Sequence, residues 1–318
     1  MRILVTGGAG FIGSHYVRLL LREHPEDAVV VYDKLTYAGN PDNLKDFQGN
    51  PRFSFVKGDI VDGDAFARAA EGCEAVVNFA AETHVDRSIL AAGDFVRTDV
   101  LGAYTLLEWS RRHDASFLQV STDEVYGSIP TGSFREDSPF EPNSPYAASK
   151  AGADLLVRAF RQTYGLATLV TRSSNNYGTH QHPEKLIPRF VTNLLRGRKV
   201  PLYGDGMNVR DWLHVEDNCR AIDLVLRKGR PGEAYNVGAN DERTNLEVTR
   251  RLLQLTGRGE EFIERVPDRP GHDRRYSLDA SKVRSLGWSP RVRFDEGLAA
   301  VVKWYRENEW WWKPLVEP

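Results

Sequence analysis

Through the first half of the chain, short apolar runs alternate with longer stretches of helical spacing. RILVT, AVVVYD, FSFVKGD, EAVVNFAA, SFLQVST and ATLVTR are the β-rich runs, separated by helix-length segments such as 11–23 and 90–112. Strands that are apolar at nearly every position have both faces buried, which predicts a parallel sheet with helices on each side. The first half therefore reads as a doubly wound α/β domain. Beyond residue 172 the pattern breaks into loop-rich sequence with many Pro, Gly and Asn, as in SSNNYGTHQHPEKLIP and PLYGDGMNVRDW. It returns briefly to strand in EAYNVG and to helix over 245–256 and 295–308, predicting a smaller, mixed C-terminal lobe. The tail NEWWWKP predicts a packed tryptophan cap, with a partner surface as the alternative.

Composition changes this picture little but removes several function classes. The 318 residues, 41% of them hydrophobic, suffice for one large or two modest domains. A formal net charge of -2 without a long run of one sign argues against nucleic acid or a membrane surface as partner. MRILVTGG enters a strand and a glycine turn directly, and no segment is apolar enough to span a bilayer, so a soluble, cytoplasmic protein is expected. Cys73 and Cys219 belong to no CxxC pair, which points to isolated buried thiols.

The first chemical motif is TGGAGFIGS. Gly7, Gly10 and Gly13 follow a strand and open a helix, where bare backbone N–H groups can receive a pyrophosphate. Asp33 ends the next strand, where an acidic side chain bonds the adenosine ribose hydroxyls. A carboxylate there repels a 2′-phosphate, which favours NAD over NADP, although Lys34 stands beside it. Asp59 and Ile60, after the third strand, are expected beside the adenine; GDI read alone is equally an ordinary helix cap. These features make the sheet a Rossmann-type, NAD-binding domain over 1–171, with 204–238 partly returning to it. Residues 172–318 are left as the substrate lobe.

The second motif is SPYAASKAG, in which Tyr146 and Lys150 are one helical turn apart and share a face. A free phenol has a pKa of about 10, and each unit of lowering takes about 1.4 kcal/mol. Lys150 together with a positive nicotinamide ring supplies that bias, so that Tyr146 takes the proton of a hydroxyl whose carbon gives up hydride. Tyr-x-x-x-Lys alone is common on helix surfaces; its meaning comes from following a dinucleotide fingerprint.

With these motifs in place, the sequence resembles the extended short-chain dehydrogenase/reductases that act on nucleotide sugars. Within them it resembles the nucleoside-diphosphate-glucose 4,6-dehydratases, chiefly those of the thymidine diphosphate sugar. The resemblance runs along nearly the whole chain, through TGGAGFIGS, YDKLTYAGN, AAETHVDRSI, STDEVYGS, SPYAASKAG, NNYG, PEKLIP, PLYGDGMNVRDWLHVED and DRPGHDRRYSLD. It implies that Phe11, Ile12, Asp33, Lys34, Leu35, Thr36, Asp59, Ile60, Phe79, Ala80, Ala81, Glu82, Thr83, Thr98, Tyr146, Lys150 and Asn176 hold NAD. It implies further that Thr83, Thr122, Asn175, Lys185, Leu186, Pro201, Leu202, Tyr203, Arg210, Asn245 and the segment 268–272, with Asp268, Arg269 and His272, hold the nucleotide sugar. One departure is Thr179, where such enzymes commonly carry proline after NNYG. The helices around 95–112 and 146–164 resemble those that pair two subunits through four helices, which implies a homodimer.

The adjacent acids of VSTDEVYGS separate a dehydratase from a simple epimerase. Neighbouring strand residues point to opposite faces, so Asp123 and Glu124 reach one substrate only if the strand ends and the chain turns at the carboxyl edge, where ligands bind. The resemblance assigns the chemistry: once C4 has lost hydride to NAD, Glu124 takes the acidified C5 proton and Asp123 protonates the departing C6 hydroxyl. Hydride then returns to C6, giving a 4-keto-6-deoxy sugar, while Thr122 bonds the 4-hydroxyl beside Tyr146. Asp123 must then be held protonated, and burial together with a neighbouring carboxylate pushes that way. Taken alone, without the other motifs, the two acids read first as a solvated acidic turn or a salt bridge rather than as catalytic groups. Arg210 and Lys185 are candidates to clamp the diphosphate. His84, His180, His182, His214 and His272 have no metal-ligand spacing, so hydrogen-bonding or surface roles are expected.

Overall fold

The computed structural model describes residues 1–316. Twelve strands are found among them: β1 (Arg2–Thr6), β2 (Ala28–Asp33), β3 (Phe53–Lys57), β4 (Ala75–Asn78), β5 (Ser116–Thr122), β6 (Thr168–Ser173), β7 (Asn175–Tyr177), β8 (Val200–Tyr203), β9 (Val209–His214), β10 (Ala234–Val237), β11 (Glu242–Thr244) and β12 (Ile263–Val266). Seven of them form one sheet in the order β10-β6-β5-β4-β1-β2-β3, and every pairing in it is parallel. Helices cover both faces of this sheet. One face packs Val5, Val31, Val77 and Val120 with Tyr16, Leu20 and Ile222 of the helices Phe11–Glu23 and Val215–Lys228. The other packs Leu4, Val30, Val76 and Phe117 with Leu106, Leu107 and Val157 of the helices Ala103–His113 and Pro145–Tyr164. The doubly wound α/β reading is therefore correct, and β3, exposed over much of its length, is the edge strand.

The later sequence divides its elements between two places. β10 and the helix Val215–Lys228 return to the main sheet, although they lie beyond residue 172. β11-β9-β7 and β12-β8 form two small sheets around a separate core of Tyr177, Phe190, Trp212, Leu252, Leu298, Tyr305, Trp311 and Trp312. The tryptophan tail does act as a cap: Trp311 and Trp312 are buried, and Trp311 Nε1 donates to Asn43 Oδ1 at 2.8 Å, tying the last helix to the first lobe.

Two local expectations need correction. The apolar run 74–81 leaves the strand at Asn78, because Phe79 to Thr83 are drawn over the glycine turn as cavity wall. The segment 90–112 is not one helix. The short helix Val85–Leu90 stops at Ala91, the next begins at Ala92, and seven residues, Val96–Gly102, run as a π-helix before α-helix resumes. A π-helix adds a residue per turn and so breaks the period on which helical patterns are read, and such turns collect at functional sites.

Candidate active site

The carboxyl ends of β1, β2 and β4 wall one end of a cavity of about 300 Å³. Gly7 turns the chain at φ +64, where a Cβ would stand 2.7 Å from Ala80 N; a Cβ on Gly13 would stand 2.4 Å from Gly7 O. Only glycine allows this approach. Gly10 caps the helix Phe11–Glu23 without a side-chain hydrogen bond, so the helix offers its first N–H groups and its dipole to the cavity. Asp33 is buried, accepting from Ala9 N at 2.9 Å and Leu35 N at 2.8 Å; burial raises its pKa, and these donors oppose the rise. Lys34 pairs with Asp59 at 2.8 Å, so the cation that weakened the case for NAD has a carboxylate partner of its own. The cradle thus fits a diphosphate and a ribose with free hydroxyls. Of the residues expected to hold the dinucleotide, all line this cavity except Leu35. Leu35 adopts φ 55 and packs on the hydrophobic core, because the loop turns there to direct Asp33 inward.

At the middle of the sheet, β5 stops at Thr122 and the chain turns at once into a short 3₁₀-helix, Asp123–Tyr126. Gly127 ends it at φ +82, where a Cβ would stand 2.4 Å from Glu141 O. The turn brings both acids to the cavity wall. Asp123 is 3% exposed and its Oδ1 accepts from the Thr122 hydroxyl at 3.2 Å. Burial first and the charge of Glu124 second hold it well above the usual carboxylate range. Burial also raises Glu124, but Arg210, Lys185 and Arg269 act against that rise. Both acids are thus raised, Asp123 more strongly, and only Glu124 has three cations among its neighbours.

Tyr146 and Lys150 share a buried face of the helix Pro145–Tyr164, capped by Ser144 with Pro145 in its first turn. Thr122 and Tyr146 line the same cavity. The bias expected on this phenol comes from Lys150 together with a positive nicotinamide ring. Burial, then Glu124 and Asp99, hold Tyr146 well above its ordinary value, while the Lys150 ammonium donates to Val120 O at 2.8 Å. Lowering the phenol thus depends on charge brought into the cavity.

A second cavity, about 170 Å³, adjoins the first; Glu124, Asn175, Glu184 and Lys185 line both. Its wall includes Leu186, Pro201, Leu202, Tyr203, Arg210, Asn245, Arg269 and His272. Thr83 and Thr122 stand on the first cavity instead, and Asp268 on neither. Asp268 is exposed and bonds His272 Nδ1 at 2.5 Å, so it orients that ring. Arg210 lies 4.2 Å over the Tyr276 ring and donates to Asp273 O at 2.9 Å; Lys185 Nζ donates to Thr83 O at 2.6 Å. Both cations are thereby fixed in direction before any anion arrives.

The histidines take ordinary places. His214 caps a helix through Glu216 N, His180 edges onto Trp304, and His84 and His182 flank Glu184. Thr179, the departure from the NNYG context, uses its carbonyl to accept from His15 Nε2 at 3.0 Å. Among the described residues no group of three His, Cys, Asp or Glu is placed to hold a metal, both cysteines are buried thiols, and no helix is long and apolar enough to cross a membrane. Sequence reading missed Glu184, Asp99 and the Asp273–Tyr276 pair, whose phenol donates to Asp273 Oδ2 at 2.7 Å. For Glu184 the flanking PEKLIP motif was a usable signal; a buried acid in a helical run gives none.

A phenol and an ammonium one helical turn apart, set against the open edge of a doubly wound sheet, define an extended short-chain dehydrogenase/reductase. The family model described as GDP-mannose 4,6 dehydratase matches residues 4–301, and the chain belongs to that family. It is 54% identical over 100% of its length to the dTDP-glucose 4,6-dehydratase of Streptomyces niveus, covering 96% of that protein. Its fold is similar to that of DesIV, a dTDP-glucose 4,6-dehydratase from Streptomyces venezuelae crystallised with NAD and TYD, with a TM-score of 0.97 and 56% identity over 99% of this chain and 100% of that one. The UDP-glucose 4-epimerase of Thermotoga maritima is similar at 33% identity, with a TM-score of 0.90, 97% of this chain and 100% of that one being covered.

Proposed function

We propose that the chain is an NAD-dependent dTDP-glucose 4,6-dehydratase, forming dTDP-4-keto-6-deoxyglucose and water. The observation that carries this reading is the adjacent pair of buried Asp123 and half-buried Glu124 on the first cavity, Glu124 also lining the second; burial raises both acids, and cations oppose the rise more at Glu124 than at Asp123. The relatives named above supply the nucleotide and the sugar. In this reading residues 1–171, with 204–238 returning to them, hold the cofactor, and 172–318 supply the sugar-nucleotide lobe.

The glycine turn and the helix Phe11–Glu23 hold the pyrophosphate of NAD, Asp33 its ribose, and Asp59 and Ile60 its adenine. The chemistry supplied by bound NAD is acceptance of hydride from C4 and its return at C6. Tyr146 Oη takes the proton of the 4-hydroxyl, which Thr122 orients. Burial, Glu124 and Asp99 oppose ionisation of this phenol, and positive charge beside it favours ionisation. Glu124 takes the C5 proton, and its three cationic neighbours favour the ionised form it needs. Asp123, held well above the usual carboxylate range by burial and by Glu124, delivers a proton to the C6 oxygen. Arg210 and Lys185 hold the diphosphate.

We further propose a cytoplasmic homodimer. Val96, Leu101, Tyr104, Leu155 and Tyr164 are exposed on the helices around 95–112 and 146–164, with Tyr104 and Tyr164 both edged onto Phe160. Apolar groups gathered in this way need a cover, and sedimentation showing only monomer at working concentration contradicts it. The activity is tested by incubating purified protein with dTDP-glucose and reading the product by mass. Loss of one water without net consumption of added NAD is expected. A product that is only the C4 epimer replaces this reading with that of an epimerase.

A further inference from the structure

Asp99 is 2% exposed, and no step above uses it. It lies in the π-helix Val96–Gly102, next to Thr98 on the cavity wall. Its Oδ1 accepts from Glu82 N at 2.9 Å and its Oδ2 from the Ser149 hydroxyl at 2.6 Å. One carboxylate therefore ties the cavity-lining loop after β4 to the helix that carries Tyr146 and Lys150. Ser149 Oγ also lies 2.8 Å from Tyr146 O, so the tie reaches the catalytic tyrosine itself.

Lys150 gives the tie its meaning. This ammonium is 3% exposed and donates to a carbonyl, Val120 O. A buried cation needs a counter-charge close by, because its desolvation is otherwise uncompensated. The charges that favour the ammonium are those of Asp99, whose Oδ2 is bonded by the neighbouring Ser149, and Asp154 one turn further along the helix. The groups facing Asp99 are Tyr146, Ser149 and Lys150 on that helix and Glu82 on the loop, with Asp94 acting on Glu82 and Asp154, paired with Arg172, acting on Lys150.

We propose that Asp99 is a positioning residue for the reaction: as counter-charge to Lys150 it holds the ammonium in place and sets the pH range in which Tyr146 exchanges its proton. The inference rests on the roles given to Tyr146 and Lys150 under the proposed function. The sign follows from charge. An ionised Asp99 opposes the Tyr146 phenolate and favours the Lys150 ammonium, so removing it lowers both pKa values. Asp99→Asn keeps an acceptor for Glu82 N and a hydrogen-bonding partner for Ser149 while deleting the charge.

The test is kcat against pH for the NAD-loaded protein acting on dTDP-glucose. In Asp99→Asn both limbs are expected to move to lower pH by about one unit, a roughly tenfold rate change at a pH on either limb. A uniform fall in kcat with both limbs unmoved overturns the inference, since loss of packing alone does that. A second readout needs neither activity nor that variant. In wild-type protein with ¹³C-labelled aspartate, one buried carboxyl should titrate at about 6, and Lys150→Met should move that midpoint upward. An unmoved midpoint overturns the inference as well. Unmoved limbs beside an inactive Tyr146→Phe overturn only the role of Asp99. A fully active Tyr146→Phe overturns the functional reading itself.

Discussion

The two cavities share Glu124, Asn175, Glu184 and Lys185, yet the chain builds them in opposite ways. The first is framed by the carboxyl ends of parallel strands, so Gly7, Asp33, Asp59, Phe79 and Asp123 each lie at a strand end or close behind it, and helices add Thr98, Tyr146 and Lys150. The second is gathered from His84 to Asp86, Lys185 to Phe190, Pro201 to Tyr203, Arg210, Asn245, Arg269 and His272. Those segments meet only through tertiary packing. One site is a consequence of sheet topology, and the other is a consequence of how two lobes close on each other.

The difference predicts how each side fails. The largest effect belongs to the sheet edge: Tyr146→Phe removes the proton acceptor at C4 and should cut kcat by roughly 10²–10⁴-fold, with KM for the sugar nucleotide little changed. Steady-state kinetics that show a KM effect instead would move Tyr146 out of the chemistry. Next, Arg210→Met deletes a charged hydrogen-bonding partner from the second cavity and should raise KM for dTDP-glucose by about 10–100-fold, leaving NAD binding unaltered. If calorimetry finds NAD affinity falling equally, the two cavities are not separate in function. A smaller change is expected at Asp33. Asp33→Asn removes the charge facing the ribose and should narrow the preference for NAD over NADP by about tenfold, read from the two dissociation constants.

The smallest effect is on stability. Asp123 has a raised pKa in the folded chain, so the folded state binds a proton that the unfolded state releases. The cost of burying its charge is fully present above the folded value and absent below the unfolded value of about 3.9. Asp123→Asn should therefore raise Tm at pH 7 by about 2–4 °C, the gain shrinking as pH falls toward about 4. A gain that grows on acidification would show that Asp123 is ionised and paired in the fold.

What could be read from residues alone follows the same division. The glycine turn was legible because backbone approach at Gly7 and Gly13 admits no side chain, and chemistry of that kind survives in a short window of sequence. Asp33, Tyr146 and Lys150 were legible because a strand end and a helical turn fix where they point. The second cavity was reached only through resemblance, since nothing local links Arg210 to His272. Asp99 and the break at Ala91 were hidden for another reason: a π-helix shifts the register that a helical period assumes. Leu35 came with a segment that resemblance transfers whole, and the structure packs its half-buried side chain against the core while its neighbours line the cavity.

The central claim is that adjacent acids at the end of β5 carry out the elimination, separately from the oxidation at C4. The double variant Asp123→Asn, Glu124→Gln with dTDP-glucose tests it most directly, with nicotinamide absorbance and product mass followed together. Reduced nicotinamide should still form on the protein while no 4-keto-6-deoxy sugar appears. Undiminished release of that sugar would contradict the account.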